Sequence, residues 1–187
     1  IARRGSTVLY VSGEESEEQI KLRADRVCRE IPQTLYVLAE TNMENVELAC
    51  ENCKPDFLII DSIQTMYSNQ LDSAPGSVSQ VRMCGNQLMK LGKTKNLPIF
   101  IVAHVTKSGD LAGPKTVEHL VDCVLNFTGE RDQELRVMRA YKNRFGTTSE
   151  IGAFRMEAEG LIGTGYFSVV FREQRGQDAR LCHNRHL

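Results

Sequence analysis

The stretch Phe57-Leu58-Ile59-Ile60-Asp61 decides the fold class of this chain. Its four apolar residues run together without a polar residue between them, which is typical of a parallel strand covered on both faces. Similar apolar runs at 7–11, 35–38 and 98–104 indicate further strands. Helical periodicity separates these runs, and a repeated strand–helix–strand order predicts a doubly wound α/β fold with a mainly parallel sheet.

Three helices are predicted between these strands. Apolar residues at spacings of three and four indicate a first helix that follows the acidic stretch 14–18 and ends before Pro32. The same spacing predicts helices over 43–53 and over about 78–95. Gly85 and Gly92 lie inside the last of these, where each glycine costs about 1 kcal/mol relative to alanine.

A different pattern begins after Asp122. Short β-rich runs at 123–127, 134–141 and 151–157 predict an antiparallel meander at one edge of the sheet. We expect one core over residues 1–167, followed by an arginine-rich tail over 168–187 without fixed structure.

Composition narrows the class of protein. With 187 residues, 41% of them hydrophobic, the chain is long enough to bury a core. Its formal net charge of −1 gives no global sign of nucleic-acid binding, so any contact with DNA has to come from a local patch. The chain has no apolar run of the roughly 18 residues that a bilayer requires, and its six cysteines are scattered. We expect a cytoplasmic protein with reduced thiols and no membrane partner.

Polar residues at the ends of the predicted strands are the candidates for a site, because ligands of open α/β sheets gather at the carboxyl ends of strands. Asp61 ends its strand, and a carboxylate there can hold a magnesium ion through water. Glu14 and Glu15 follow the first strand, where a carboxylate can polarise an attacking water. His104 ends the 98–104 run and is a candidate phosphate sensor. Each also has an ordinary structural interpretation: a strand-end carboxylate, partners of a helix dipole, or a satisfied polar residue.

Two cysteines have the spacing of zinc ligands. Cys50 and Cys53 lie within the predicted second helix and lack a second pair. We interpret them as core residues and predict no zinc in this chain.

Several motifs occur together in a family-specific order. These are Tyr10-Val11-Ser12-Gly13-Glu14-Glu15-Ser16, the stretch Leu58 to Thr65, Ser73-Ala74-Pro75-Gly76-Ser77, His104-Val105-Thr106-Lys107, Leu111-Ala112-Gly113-Pro114-Lys115 and Lys142-Asn143-Arg144-Phe145-Gly146. In these residues the chain resembles the RadA/Sms family of bacterial DNA-repair ATPases over roughly 7–167. The last motif separates that family from RecA, KaiC-like and replicative-helicase relatives.

The resemblance implies a RecA-like P-loop NTPase core that uses ATP and Mg²⁺. It implies an ATP-driven motor that binds single-stranded or branched DNA, promotes branch migration, and works as a homo-oligomeric ring, expected to be a hexamer, with the recombinase RecA as a partner. In that picture Glu14 is the catalytic carboxylate with Glu15 beside it, Asp61 orients magnesium and His104 senses nucleotide. Lys142 and Arg144 would reach the nucleotide of a neighbouring subunit and stabilise charge in the transition state.

Two loops match the DNA-contacting positions of such rings. They cover 65–77 and 106–115, and within them Lys107 and Lys115 could neutralise phosphates. Arg82 lies on the helix that leaves the first loop. An ordinary surface loop remains the alternative for both.

A phosphate-cradling Gly-x-x-x-x-Gly-Lys-[Ser/Thr] pattern, expected upstream of residue 7, does not occur in these 187 residues. We therefore expect this chain by itself to be a poor DNA-dependent ATPase. The rival hypotheses are a catalytically inactive RecA-fold fragment that binds partners, and a KaiC-like or helicase-like ATPase.

Overall fold

The computed structural model describes residues 1–105, 115–129, 134–158 and 160–164. The chain divides into two compact units, Ile1–Asp122 and the segment from Cys123 onward. The tail over 168–187 and most of the loop over 106–115, including Lys107, lie outside the described residues.

The first unit alternates strands and helices as the sequence predicts. Its elements are β1 (Val8–Ser12), α1 (Glu17–Val27), β2 (Leu35–Ala39), α2 (Met43–Cys53), β3 (Phe57–Asp61), α3 (Val78–Lys95), β4 (Ile99–Ile101) and α4 (Lys115–Glu118), with short 3₁₀ turns at Ala2–Arg4 and Ile63–Thr65. The strands form one parallel sheet in the order β2-β1-β3-β4.

The register of β1 and β3 places their apolar side chains next to one another in the core. Leu9 and Val11 of β1 lie beside Leu58 and Ile60 of β3. These four side chains are buried and belong to a core cluster that includes apolar residues of α2 and α3. The next residues in register are Ser12 and Asp61, so both central strands turn polar at the same level.

The helices begin where polar side chains cap them. Asn42 accepts hydrogen bonds from the amides of Glu44 and Asn45 at the start of α2, and Ser77 caps α3. Ser16 and Gln19 form a reciprocal capping box, so α1 begins at Glu17 and leaves Glu14 and Glu15 in the preceding loop.

Two of the predicted boundaries change. The helix expected up to Pro32 ends at Val27, which is 46% exposed, because the chain becomes extended at Cys28. The strand expected over 98–104 pairs with β3 only at Ile99–Ile101. The helices predicted over 43–53 and 78–95 have the bounds expected.

The second unit contains the predicted antiparallel meander. It consists of β5 (Cys123–Thr128), β6 (Leu135–Asn143), β7 (Ile151–Glu157) and β8 (Gly160–Gly163), paired in that order. A register shift between Val124 and Leu125 marks a bulge in β5. The meander forms a four-stranded sheet of its own within the described residues.

The predicted zinc-spaced cysteines belong to the core side of α2. Cys50 is buried in the core cluster, and Cys53 packs against it. Burial raises the pKa of Cys50 to about 11, which keeps its thiol protonated at neutral pH. This environment fits the core interpretation of the pair.

Candidate functional site

The site begins where β1 and β3 end together. Gly13 directly follows Ser12, and its amide donates to the carbonyl of Asp61 over 2.9 Å. A Cβ at Gly13 would lie 1.9 Å from Oγ1 of Thr65, so only glycine allows this approach. The close contact holds the loop after β1 against the turn after β3, and it brings the predicted carboxylates to one edge of the sheet.

Glu14 has two side-chain partners at this edge of the sheet. The hydroxyl of Ser62 donates to Glu14 Oε1 over 2.7 Å. The Nε2 atom of His104 lies 3.5 Å from the same oxygen and 4.0 Å from Oδ1 of Asp61. Glu14, Asp61 and His104 keep 47%, 25% and 54% of their side-chain surface exposed. The structure therefore brings the three predicted strand-end residues together around an opening to solvent.

Glu15 has a different environment from its neighbour. Its carboxylate forms an ion pair with Arg23 of α1. A guanidinium nitrogen of Arg23 also donates to the hydroxyl of Tyr10 over 3.3 Å. The Tyr10 hydroxyl in turn donates a hydrogen bond to Oδ2 of Asp61. Glu15 is thus connected to Asp61 through two intervening side chains, whereas Glu14 faces His104 directly.

Tyr10 was not predicted as a site residue. Burial, together with its hydrogen bond to the Asp61 carboxylate, raises the pKa of Tyr10 well above its usual value. The phenol therefore stays protonated and can keep donating to Asp61. Side chains alternate along a strand, so the sequence indicates that Tyr10 lies on the same sheet face as Ser12. That was the signal that could have identified Tyr10. Arg23, on a separate helix, gave no comparable signal.

Gln64 fixes the backbone that carries His104. Its side-chain amide donates to the carbonyl of His104 over 2.9 Å, and its Oε1 accepts from the His104 amide over 3.3 Å. Gln64 is 7% exposed, so its own side chain is shielded from water. Gln64 lies within the motif from Leu58 to Thr65, and nothing in that pattern indicates this role.

The predicted DNA-binding cations lie at separate places in the described part of the first unit. Arg82 is exposed on α3 and lines a surface groove of about 510 Å³ with Val78, Ser79, Met83 and Asn86. Lys115 is exposed at the start of α4. Methyl groups of Val117 and Leu120 lie where a Cβ of Gly85 would meet them, so glycine allows this segment to approach α3.

Lys142 and Arg144 belong to the second unit. Lys142 lies near the end of β6, and Arg144 is exposed in the turn that follows. Asn143 organises that turn, since its side chain donates to the carbonyl of Thr147 and accepts from the amide of Phe145. The motif thus forms a defined strand-to-turn structure that displays Phe145, which is 84% exposed.

Oxygen atoms suitable for binding magnesium lie at the end of β3. Carboxylate and hydroxyl oxygens are the protein ligands that Mg²⁺ accepts, often through its retained waters, and Asp61 and Ser62 supply them. Among the residues that the structure describes, no three His, Cys, Asp or Glu side chains converge into a direct metal cage. In the same part of the chain, no helix is both long and apolar enough to cross a bilayer.

Curated proteins are similar to this chain over about nine tenths of its length. The DNA repair protein RadA of Bacillus subtilis is 54% identical over 170 residues, which cover 91% of this chain and 37% of that protein. The DNA repair protein RadA of Streptococcus pneumoniae is 56% identical over 169 residues, covering 90% of this chain and 40% of that protein. The chain therefore spans about two fifths of the length of these relatives.

Solved structures with low sequence identity share the fold. A DnaB-like replicative helicase superposes with a TM-score of 0.70 at 10% identity, over 86% of this chain and 51% of that one. The RadB recombinase gives a TM-score of 0.58 at 16% identity, over 86% of this chain and 80% of that one. These likenesses confirm the RecA-like α/β fold predicted from the sequence.

A family model described as an AAA domain matches residues 1–110, which include β1, β3 and the site residues at their ends. The resemblance to RadA proteins inferred from the motifs is confirmed by relatives that carry that name. The chain therefore belongs to the AAA domain family.

Proposed function

We propose that this chain is the core of an ATP-hydrolysing motor that acts on DNA in repair and recombination. The observation that carries the proposal is the grouping of Glu14, Asp61 and His104 at the ends of parallel strands. A base, a magnesium-associated carboxylate and a polar sensor are the groups that nucleotide hydrolysis requires beside a phosphate cradle. The names of the relatives support the choice of DNA repair as the context.

In this proposal Glu14 is the general base. Its Oε1 accepts from the Ser62 hydroxyl in the structure and can accept from a water at the same opening. Asp61 would hold hydrated magnesium, which supplies charge neutralisation on the phosphates when bound. Tyr10 keeps one Asp61 oxygen occupied and so orients the other toward His104. Glu15, paired with Arg23, supports this arrangement and does not take the proton.

Hydrolysis can be tested in a chimaera in which the 170 matched residues of this chain replace their counterparts in the B. subtilis relative. We expect ATP turnover that rises when single-stranded DNA is added. Glu14→Gln should lower kcat about 100-fold or more, the usual contribution of a positioned base, with nucleotide binding retained. The adjacent Glu15→Gln is the matched control. It should lower kcat by less than about tenfold, because that carboxylate is already ion-paired. Equal losses in the two variants would remove the base role from Glu14.

We further propose that the chain assembles into a ring, with six subunits expected, in which Lys142 and Arg144 act on the nucleotide of the neighbour. Arg144→Ala chimaeras would keep the base, and Glu14→Gln chimaeras would keep the cation. Mixing the two inactive proteins should therefore restore part of the turnover if the groups work across subunits. No recovery on mixing would contradict action in trans.

The proposed ring binds single-stranded or branched DNA and promotes branch migration, with RecA as a partner. Strand-exchange intermediates labelled with a fluorophore provide the assay, and ATP-dependent movement of the junction is the expected result. A chimaera that hydrolyses ATP but leaves the junction in place would restrict the proposal to a DNA-dependent ATPase.

A second candidate is a RecA-fold module that binds partners without turnover. A chimaera that assembles and binds DNA yet shows no ATP turnover would support this candidate over the motor.

A further inference from the structure

Residues 66–77, here called the 66–77 loop, join the 3₁₀ turn after β3 to the start of α3. The loop exposes several polar or small residues to solvent: Asn69, Gln70, Asp72, Ala74 and Pro75. A surface loop of this length normally samples many conformations unless its backbone is held. The question is which contacts hold it.

One buried side chain makes several of these contacts. Gln80, on the first turn of α3, is 1% exposed. Its Nε2 donates to the carbonyls of Ser68, Leu71 and Ser73 over 3.2, 2.9 and 3.0 Å, and its Oε1 accepts from the Ser68 amide over 3.0 Å. A single amide group thus binds the loop backbone at three residues.

Ser68 is held from the other side as well. Its hydroxyl donates to Oε1 of Glu44 on α2 over 2.6 Å and accepts from Nε2 of Gln87 on α3 over 3.1 Å. Partial burial acts to raise the pKa of Glu44, but hydrogen bonds from Ser68 and its neighbours outweigh it and hold the pKa below its usual value. Glu44 is therefore a carboxylate at neutral pH, and Ser68 is anchored to two helices.

Helix α3 carries the buried Gln80 and an exposed cation close together in sequence. Gln80 points into the interior with Val81 and Cys84, whereas Arg82, two residues from Gln80, is exposed beside the groove on α3. The loop leads directly into this helix. The first two turns of α3 therefore carry both the residue that holds the loop and an exposed cation that can bind phosphate.

We propose that Gln80 is a positioning residue for DNA binding, which holds the 66–77 loop in the shape that a single strand contacts together with Arg82. This inference rests on the proposed function, because it takes the loop to face DNA. Gln80 itself is buried and touches no ligand. Its effect on DNA affinity passes through the backbone of Ser68, Leu71 and Ser73.

The test uses the chimaera carrying Gln80→Met, which keeps the length of the side chain and removes its hydrogen bonds. Fluorescence anisotropy with labelled oligothymidine should show a dissociation constant raised about tenfold or more, similar to the loss of one stacking or phosphate contact. DNA-free ATP turnover should fall far less, by under about threefold. Amides of the loop should exchange with solvent faster in the variant.

Two further variants test whether the hydrogen bonds of Gln80 cause the effect. Gln80→Glu keeps the acceptor for the Ser68 amide but places a carboxylate oxygen against the three carbonyls that Nε2 now bonds, so it should weaken DNA binding at least as much as Gln80→Met does. Gln33→Met makes the same substitution at an exposed glutamine in the turn before β2 and should leave DNA affinity and turnover as they are.

The outcomes separate the two proposals. A wild-type chimaera that fails to bind oligothymidine refutes the proposed function, and this inference falls with it. If the wild-type chimaera binds oligothymidine and Gln80→Met binds it with the same affinity, the inference is overturned and the proposed function stands. An equal loss of DNA binding and DNA-free turnover, or failure of both Gln80 variants to fold, identifies Gln80 as a purely structural residue and also overturns it.

Discussion

The close approach at Gly13 gives a prediction whose size follows from the structure. In Gly13→Ala the added methyl group would lie 1.9 Å from Oγ1 and 2.7 Å from Cβ of Thr65. Thr65 cannot simply rotate, because its hydroxyl donates to the carbonyl of Ser62 over 2.8 Å. Overpacking costs about 1–3 kcal/mol, and the loss of a partly buried hydrogen bond adds about 1 kcal/mol. We expect unfolding free energy to fall by about 2–4 kcal/mol.

Urea denaturation followed by far-ultraviolet circular dichroism measures this loss. The helices of the described residues all precede Cys123, so the helical signal reports on the first unit. Gly163→Ala in β8 is the control for a methyl group that meets nothing within 4 Å; because it lies in the second unit, its unfolding is followed by the strand signal, and it should stay within about 0.5 kcal/mol of wild type.

A double-mutant cycle tests the cause of the effect. Thr65→Gly removes both atoms that the new methyl group would strike. Gly13→Ala should then cost less by about 1 kcal/mol or more in the Thr65→Gly background. Additive effects, within about 0.5 kcal/mol, would refute the argument that this contact makes glycine necessary.

The remaining predictions concern a hydrogen bond, two glycines and a carboxylate. Tyr10→Phe removes the donor to Asp61 and should lower kcat of the chimaera about 10-fold or more, and unchanged ATP turnover would contradict its orienting role. Gly85→Ala meets movable methyl groups and should keep part of a helix-propensity gain of about 1 kcal/mol. Gly92→Ala meets a backbone carbonyl at 3.1 Å and should be destabilising, so urea midpoints that shift in the same direction would refute the distinction. Because the pKa of Glu44 is lowered in the folded state, its stabilisation is present above pH 4.5 and is lost as the pH falls through the folded value. Glu44→Gln should therefore flatten the decline of melting temperature in acid, and an unchanged decline would count against this assignment.

The architecture was predictable because its signals are local. Apolar runs identified the strands, and helical spacing gave the bounds of α3. The end of α1 was predicted too late, because the apolar spacing continues past Val27 although the backbone turns extended at Cys28. Periodicity records which side chains could be buried, and it does not record where the backbone leaves the helix.

The candidate site was predictable to the extent that strand ends define it. Asp61 and His104 end or follow apolar runs, and register places such residues together. Tyr10 was missed because its hydrogen bond reaches a residue 51 positions away, and Gln80 because it bonds backbone carbonyls of a loop whose shape is not written in side-chain identity. Such pairings depend on the packed structure and leave no spacing pattern.

The sequence separation of the site's contacts also has a consequence for the order of folding. Glu14 meets Ser62 from 48 positions away, and Gln64 meets His104 from 40. Contacts this distant form only after the intervening chain has closed, and domains emerge from the ribosome amino-terminal end first. Glu14 therefore leaves the ribosome long before His104 is synthesised. A nascent chain that has completed only β1 and β2 carries the carboxylate without its partners, and the site assembles in the last stage of forming the parallel sheet.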